Sequence, residues 1–98
     1  MARNGTELKR RSDGMILATG PNPATESIRA SFDLGGEGLV RWRVLDMSGR
    51  VVLESSLGAV YGMNNVDVPL TRVDAGSYLF EVSDDSGLVI GNMRFVKQ

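Results

Sequence analysis

The sequence predicts an all-β protein, an antiparallel sandwich of about seven short strands. Three observations carry that expectation. Apolar residues recur at every second position in several short runs, the period of a strand with one buried face. Glycine, proline, asparagine and aspartate interrupt those runs about every ten residues, the spacing of turns in an all-β domain. No segment keeps a helical period for as long as about three turns. The 98 residues suffice for one domain with a modest core. A composition of 42% hydrophobic and 23% charged residues is that of a folded globular chain rather than a disordered one.

Residues 1–14 are polar and lack any apolar period. They read as a linker or a cloning remnant, and the domain as 15–98. Met15-Ile16-Leu17-Ala18 makes a first short strand. Gly20-Pro21-Asn22-Pro23 ends it, because two prolines around an asparagine exclude helix and hold an extended corner. From Thr25 to Leu34, Ile28, Ala30, Phe32 and Leu34 fall on one face, and Arg29, Ser31 and Asp33 on the other. Gly35-Gly36-Glu37-Gly38 turns the chain. Val40, Trp42 and Val44 then point inward, Arg41 and Arg43 outward. In Asp46-Met47-Ser48-Gly49 the carboxylate can bond nearby backbone and glycine supplies positive φ, so a tight hairpin turn is expected. Arg50 to Ser56 returns as a strand of ambiguous inner face, since Val51 and Leu53 fall on one side and Val52 on the other. Gly58 to Asn65 reads as loop, with Tyr61 and Met63 inside it. Val66, Val68 and Leu70 alternate again, and Pro69 between them marks an edge strand or a strand end. Tyr78, Phe80 and Val82 follow Gly76 as another inward trio. Asp84-Asp85-Ser86-Gly87 turns into a last strand, Leu88 to Lys97.

Asp74-Ala75-Gly76-Ser77-Tyr78 is the most informative local pattern. An acid, a glycine and a tyrosine opening a strand match the tyrosine corner of immunoglobulin-like sandwiches, in which the ring packs inward and its hydroxyl bonds backbone a few residues upstream. Trp42 fits the core tryptophan of such a fold. Phe80 stands two residues after Tyr78, where the second cysteine of an inter-sheet disulfide would be.

The residue inventory excludes several chemistries. There is no cysteine and no histidine, so disulfides, thiolate catalysis, cysteine–zinc sites, imidazole bases and histidine metal cages are unavailable. A small enzyme would depend on carboxylates or a bound metal. Asp46, Glu54, Asp67 and Asp74 are the candidate carboxylates, but nothing in the sequence sets their separation. Asp84-Asp85-Ser86 offers hard oxygen atoms at a spacing that matches no calcium loop, and Gly35-Gly36-Glu37-Gly38 joins two strands where a phosphate cradle needs a helix N-terminus. No catalytic residue, metal ligand or cofactor site is assigned. A net charge of −1 gives no excess to hold a polyphosphate. The basic run Lys9-Arg10-Arg11 lies between Glu7 and Asp13 without an aromatic for stacking, so no nucleic-acid partner is expected. Arg29, Arg41 and Arg43 are placed together on one outer face, either a site for a partner carboxylate or sugar phosphate or, the favoured reading, a solvated face alongside Glu54 and Glu81. The start, from Met1 to Gly5, has no apolar signal-peptide core, and no stretch reaches the roughly 20 apolar residues of a spanning helix. An exported role would place the export signal elsewhere and make this chain part of something larger.

The order of motifs adds to this reading. Pro21-Asn22-Pro23-Ala24-Thr25-Glu26 heads the domain, and Val44-Leu45-Asp46-Met47-Ser48-Gly49-Arg50-Val51-Val52 follows. Then come Val66-Asp67-Val68-Pro69-Leu70, Val73-Asp74-Ala75-Gly76-Ser77-Tyr78 and Arg94-Phe95-Val96-Lys97. Each is weak alone. Together and in order, over about residues 15–98, the set resembles the type A C-terminal sorting domain of the type IX secretion system. That resemblance implies a seven-stranded immunoglobulin-like sandwich at the end of secreted proteases, adhesins or haem-binding proteins of certain Gram-negative bacteria. It implies a cargo that a signal peptide takes to the periplasm and that this domain directs through an outer-membrane translocon to the cell surface. It further implies removal of the domain by a surface sortase that couples the cargo to lipopolysaccharide. The recognition residues carried over are Pro21, Asn22, Pro23, Ala24, Asp46, Gly49, Arg50, Gly76, Tyr78, Arg94, Phe95, Val96 and Lys97. Glu26 stands where the family often has aspartate, Val73 where leucine is frequent, and Gln98 follows the terminal motif.

The mechanism expected from this reading is strand addition. The final strand has an open edge, a translocon component pairs with it backbone to backbone, and side-chain pockets read Phe95 and Lys97. The same edge offers pairing of two copies. If the domain is cleaved, the polar stretch 1–14 is the natural place. The competing reading is an immunoglobulin-like adhesion or carbohydrate-binding module. A sugar site needs exposed aromatics, and among the six aromatics Tyr61 is the loop candidate.

Overall fold

The computed structural model describes residues 15–21 and 23–98. The polar stretch 1–14, with its linker reading and its basic run, lies outside the described residues, as does Asn22. The described residues form seven strands: β1 (Met15–Gly20), β2 (Ser27–Leu34), β3 (Gly38–Asp46), β4 (Val51–Ala59), β5 (Gly62–Pro69), β6 (Gly76–Asp84) and β7 (Val89–Lys97). They make two sheets, one ordered β1-β2-β5 and the other β4-β3-β6-β7. Every strand pair within them is antiparallel. This is the immunoglobulin-like sandwich expected, with its fourth strand paired to the third rather than to the fifth.

The alternation in the sequence becomes the core. Ile28, Ala30, Phe32 and Leu34 of β2 meet Val40, Trp42 and Val44 of β3 and Tyr78, Phe80 and Val82 of β6, with Val68 and Leu70 closing one side and Phe95 the other; all are buried. Trp42 stacks on Phe80 with ring centroids 5.9 Å apart. In disulfide-linked relatives of this fold the tryptophan packs on the bridge; here a phenylalanine ring supplies that surface. Full burial of side chains this size stabilises by about 1.5–3 kcal/mol each.

β4 resolves its ambiguity through a bulge. Val44 faces Leu53 but Leu45 faces Val51, which leaves Val52 as an extra residue. The extra residue resets the period of two, so both Val52 and Leu53 pack against the core. Beyond it Leu57 is half-buried and Ala59 buried.

The stretch Gly58 to Asn65 is not the loop expected. β4 continues through Ala59 and β5 begins at Gly62, so only Val60 and Tyr61 cross from one sheet to the other. Asn64 makes this short crossing feasible. Its side-chain carbonyl accepts the Val60 N–H at 3.0 Å, and its amide donates to the Val60 carbonyl at 2.8 Å and the Gly62 carbonyl at 3.1 Å. It is one of the few buried polar side chains, 7% exposed, and its bonds satisfy backbone groups that the corner takes out of both ladders. Pro69 ends β5, which is an edge strand as expected.

The arginines are not on one face. Arg29 lies on the β1-β2-β5 sheet, bonded to Asp67 at 2.8 Å, whereas Arg41 and Arg43 lie on the opposite sheet. Arg43 donates to Glu81 at 2.6 Å across the β3–β6 pair. Sequence alternation assigns in or out, but strand pairing decides which outer face a residue joins.

Replacing Asn64 by alanine leaves the corner's backbone groups unpaired. The variant is expected to lose about 1–3 kcal/mol of unfolding free energy, measured by urea denaturation. The exposed Ser56→Ala control should stay within about 0.5 kcal/mol of the parent.

Candidate functional site

All the motif residues within the described region gather at one end of the sandwich. Strand pairing sets Asp46 opposite Tyr78, Tyr78 opposite Phe95, and Gly76 opposite Lys97. The 21–26 corner reaches the same end, because Ala24 forms a parallel bridge to Lys97. Residues far apart in the chain thus share one surface made of the β1–β2 corner, the β3–β4 turn, the start of β6 and the end of β7.

The corner is tied to both sheets. The Gly20–Pro21 peptide is cis, and Pro21 and Pro23 are exposed. Ala24, with no exposed surface, donates its N–H to the Val96 carbonyl at 2.7 Å and accepts the Gln98 N–H at 2.8 Å. Two residues on, the Glu26 carbonyl accepts the Leu70 N–H at 2.8 Å. The proline-bounded segment therefore clasps the end of β7 from the opposite sheet. This narrows the expectation of an open final strand: β7 is an edge strand, but its edge is occupied at Val96 and Gln98.

Two hairpins of the same construction stand at opposite ends. Asp46 Oδ1 accepts the Ser48 N–H at 3.0 Å, the Ser48 hydroxyl at 2.6 Å and the Arg50 N–H at 3.0 Å. Asp84 repeats this with Ser86 at 2.9 and 2.6 Å and Leu88 at 3.0 Å. The last loop residues, Gly49 and Gly87, have φ of 89° and 93°. A three-residue hairpin loop, a turn followed by a left-handed position, needs glycine there. Hydrogen bonds from Ser48, then from the Arg50 backbone, hold the Asp46 carboxyl below its usual range. At Asp84 partial burial pushes the carboxyl up, but the bonds from Ser86 and Leu88 prevail and it lies below its usual range. Arg50 Nε approaches Asp46 Oδ2 at 3.2 Å while its side chain stays 78% exposed.

The tyrosine corner forms as expected. The Tyr78 hydroxyl donates to the Asp74 carbonyl at 2.6 Å, and its buried ring stacks on Phe95 with centroids 5.8 Å apart. Gly76, at φ 155°, lies close to that ring.

The motif residues divide by burial. Ala24, Tyr78 and Phe95 are core, with Phe95 only 1% exposed. A partner pocket that reads the Phe95 side chain is therefore inconsistent with the folded domain. Pro21, Pro23, Gly49, Arg50, Arg94 and Val96 are exposed, and Lys97 is half-buried. Asn64 was missed by sequence reading; an asparagine inside a glycine-containing stretch signals a turn, not a bond across a sheet corner. Of the six aromatics only Tyr61 is exposed, at 74%. Among the described residues no group of three or more carboxylates is placed to hold a metal ion.

The motif residues thus converge on one end of an immunoglobulin-like sandwich. Its sequence matches the family model described as "Secretion system C-terminal sorting domain" over residues 20–97, and the chain belongs to that family. It is thus a type IX secretion sorting domain, of a family that is not enzymatic, acting with the secretion machinery for export to the cell surface or beyond. No curated protein matches the chain. Among solved structures it is similar to a selenomethionine-labelled β-glucosidase from Kluyveromyces marxianus, with a TM-score of 0.59 and 16% identity over 88% of this chain. The chain spans 14% of the length of that enzyme, and the likeness is one of fold.

Tyr78→Phe removes one partly buried hydrogen bond and should cost about 0.5–1.5 kcal/mol in denaturant unfolding. A second expectation concerns acid. Both hairpin carboxyls have folded values below their unfolded ones, so their contribution is complete above the unfolded value of about 4 and is lost as pH falls through the folded value. The unfolding midpoint should drop on acidification below about pH 4. An Asp46→Asn/Asp84→Asn double variant, in which neither group titrates, should show a shallower drop across the same range.

Proposed function

We propose that residues 15–98 form the sorting unit of a longer exported polypeptide, joined to its cargo through 1–14. The domain directs that cargo from the periplasm through the outer-membrane translocon of a Gram-negative bacterium. A surface sortase then cuts within the polar stretch. The family match over 20–97 carries this reading. The convergence of motif residues on one end supports it, since a translocon component could engage Pro21, Pro23, Arg50, Arg94 and Lys97 at once. The buried members, Ala24, Tyr78 and Phe95, act by holding that surface in shape. Pairing of two copies through β7 is the alternative use of the same region. A carbohydrate-binding role is less well supported, because Tyr61 stands without a second exposed aromatic.

A periplasmic reporter carrying the full chain at its C-terminus should reach the cell surface in a strain with the secretion system, while the reporter alone remains periplasmic. Arg50→Glu/Lys97→Glu at the motif end should lower surface export several-fold, with β-sheet circular dichroism unchanged. Arg41→Glu, toward the opposite end, should not. Equal export of all three fusions would contradict recognition at the motif end. Mass spectrometry of the surface form should place any cleavage within residues 1–14.

A further inference from the structure

β7 is the edge of its sheet, and its unpaired backbone groups can be assigned. In an antiparallel ladder, successive residues turn their N–H and C=O toward the neighbour and away from it in alternation. The Val96 carbonyl faces away from β6, since it accepts from Ala24. Arg94 and Asn92 therefore face away as well. Counting from the hairpin agrees: Asp84 donates to the Leu88 carbonyl, so Val89 faces out. The register shift then makes Ile90 an extra residue, which sets Gly91 toward β6 and Asn92 outward. Between the bulge at Ile90 and the clasp at Val96, the backbone of Asn92 and Arg94 has no ladder partner on its outer side among the described residues, although β1 lies close to β7.

Side-chain chemistry defines what fits there. Asn92 and Arg94 are exposed on the outer face of the four-stranded sheet. Arg94 has no carboxylate partner among the described residues. The nearby Glu81, opposite Asn92, is held by Arg43. Along its row Arg94 is followed by Leu79 and Leu45, both uncharged. A strand added at this edge would place a side chain directly opposite Arg94, and an opposite charge there is stabilising.

The geometry points to a short docking edge: the backbone of Asn92 and Arg94 receives one extended segment of a secretion-machinery protein, with an aspartate or glutamate opposite Arg94. The inference rests on the sorting function proposed above and supplies the chemistry of its partner. A second copy of this chain fits poorly. Antiparallel self-pairing that engages both Asn92 and Arg94 sets each Arg94 opposite Asn92 with the two arginines on diagonal neighbours, and like charges oppose such a pair.

The test uses the full chain fused to the same periplasmic reporter, with Ser56→Ala, Asn92→Pro and Arg94→Glu compared with the parent. Asn92→Pro removes an N–H that faces away from β6, a position where edge strands accept proline. Folding is checked by Trp42 fluorescence and by amide exchange along β6. Ser56→Ala, exposed on β4 at the other edge of the sheet, should export like the parent. Asn92→Pro and Arg94→Glu should each reduce export roughly tenfold, the scale of one or two lost intermolecular hydrogen bonds. Folded Asn92→Pro exporting at the parental level overturns the backbone pairing. If that variant does not fold, parental export by folded Arg94→Glu overturns the proposal instead. A parent that is dimeric, with both variants monomeric, makes the occupant a second copy and overturns the assignment of a partner strand. Failure of the parent fusion itself to export sinks the sorting reading, and this inference with it.

Discussion

Burial of two facing apolar surfaces, one from each sheet, holds the domain together, and every other feature depends on it. No cysteine is available to link the sheets. Phe32 from one side and Trp42, Phe80 and Phe95 from the other must close the interior by packing alone. Small domains bury a limited share of their surface, so each large side chain in that interior carries much of the net stability. The stacked pairs Trp42–Phe80 and Tyr78–Phe95 lie on neighbouring strands, which joins the central β3–β6 pair to the last strand through rings as well as backbone.

With the interior closed, the ends acquire shape from short polar devices. Aspartate accepts three bonds in each of two hairpins, asparagine satisfies the β4–β5 corner, and the tyrosine hydroxyl fixes the approach to β6. The Pro-Asn-Pro-Ala corner belongs to the β1–β2 connection yet bonds the end of β7. It is a connection between sheets, and it explains why a proline-bounded segment and the last residues of the domain occur in one motif set: Ala24 contacts Val96 and Gln98 directly.

A sorting signal is easily pictured as a linear tag read by its side chains. This domain has a different organisation. Several motif residues are inaccessible, and those that are exposed come from four separate chain segments. On the function proposed above, recognition depends on the folded state, and buried motif residues contribute by positioning the exposed ones. The strand edges are correspondingly restrained. β1, β4 and β7 each carry a register shift and β5 ends in proline, interruptions that limit indiscriminate strand pairing and leave a short stretch of β7 without a ladder partner among the described residues.

Most strand positions, most inward residues, both aspartate hairpins and the tyrosine corner were determined by the sequence itself, because each arises from neighbours within a few residues. Alternation marks Ile28, Phe32, Trp42 and Phe80 as interior whatever their partners, and Asp-x-Ser-Gly closes a hairpin by bonds within the loop. Tertiary structure decided what depends on pairing between distant segments. It put Arg29 and Arg43 on opposite faces, made Val52 a bulge, turned the Gly58–Asn65 stretch into a two-residue crossing held by Asn64, buried Phe95 against Tyr78, and closed the end of β7 with Ala24. Those contacts bring together residues tens of positions apart, and a local period contains no information about which strand will lie beside which.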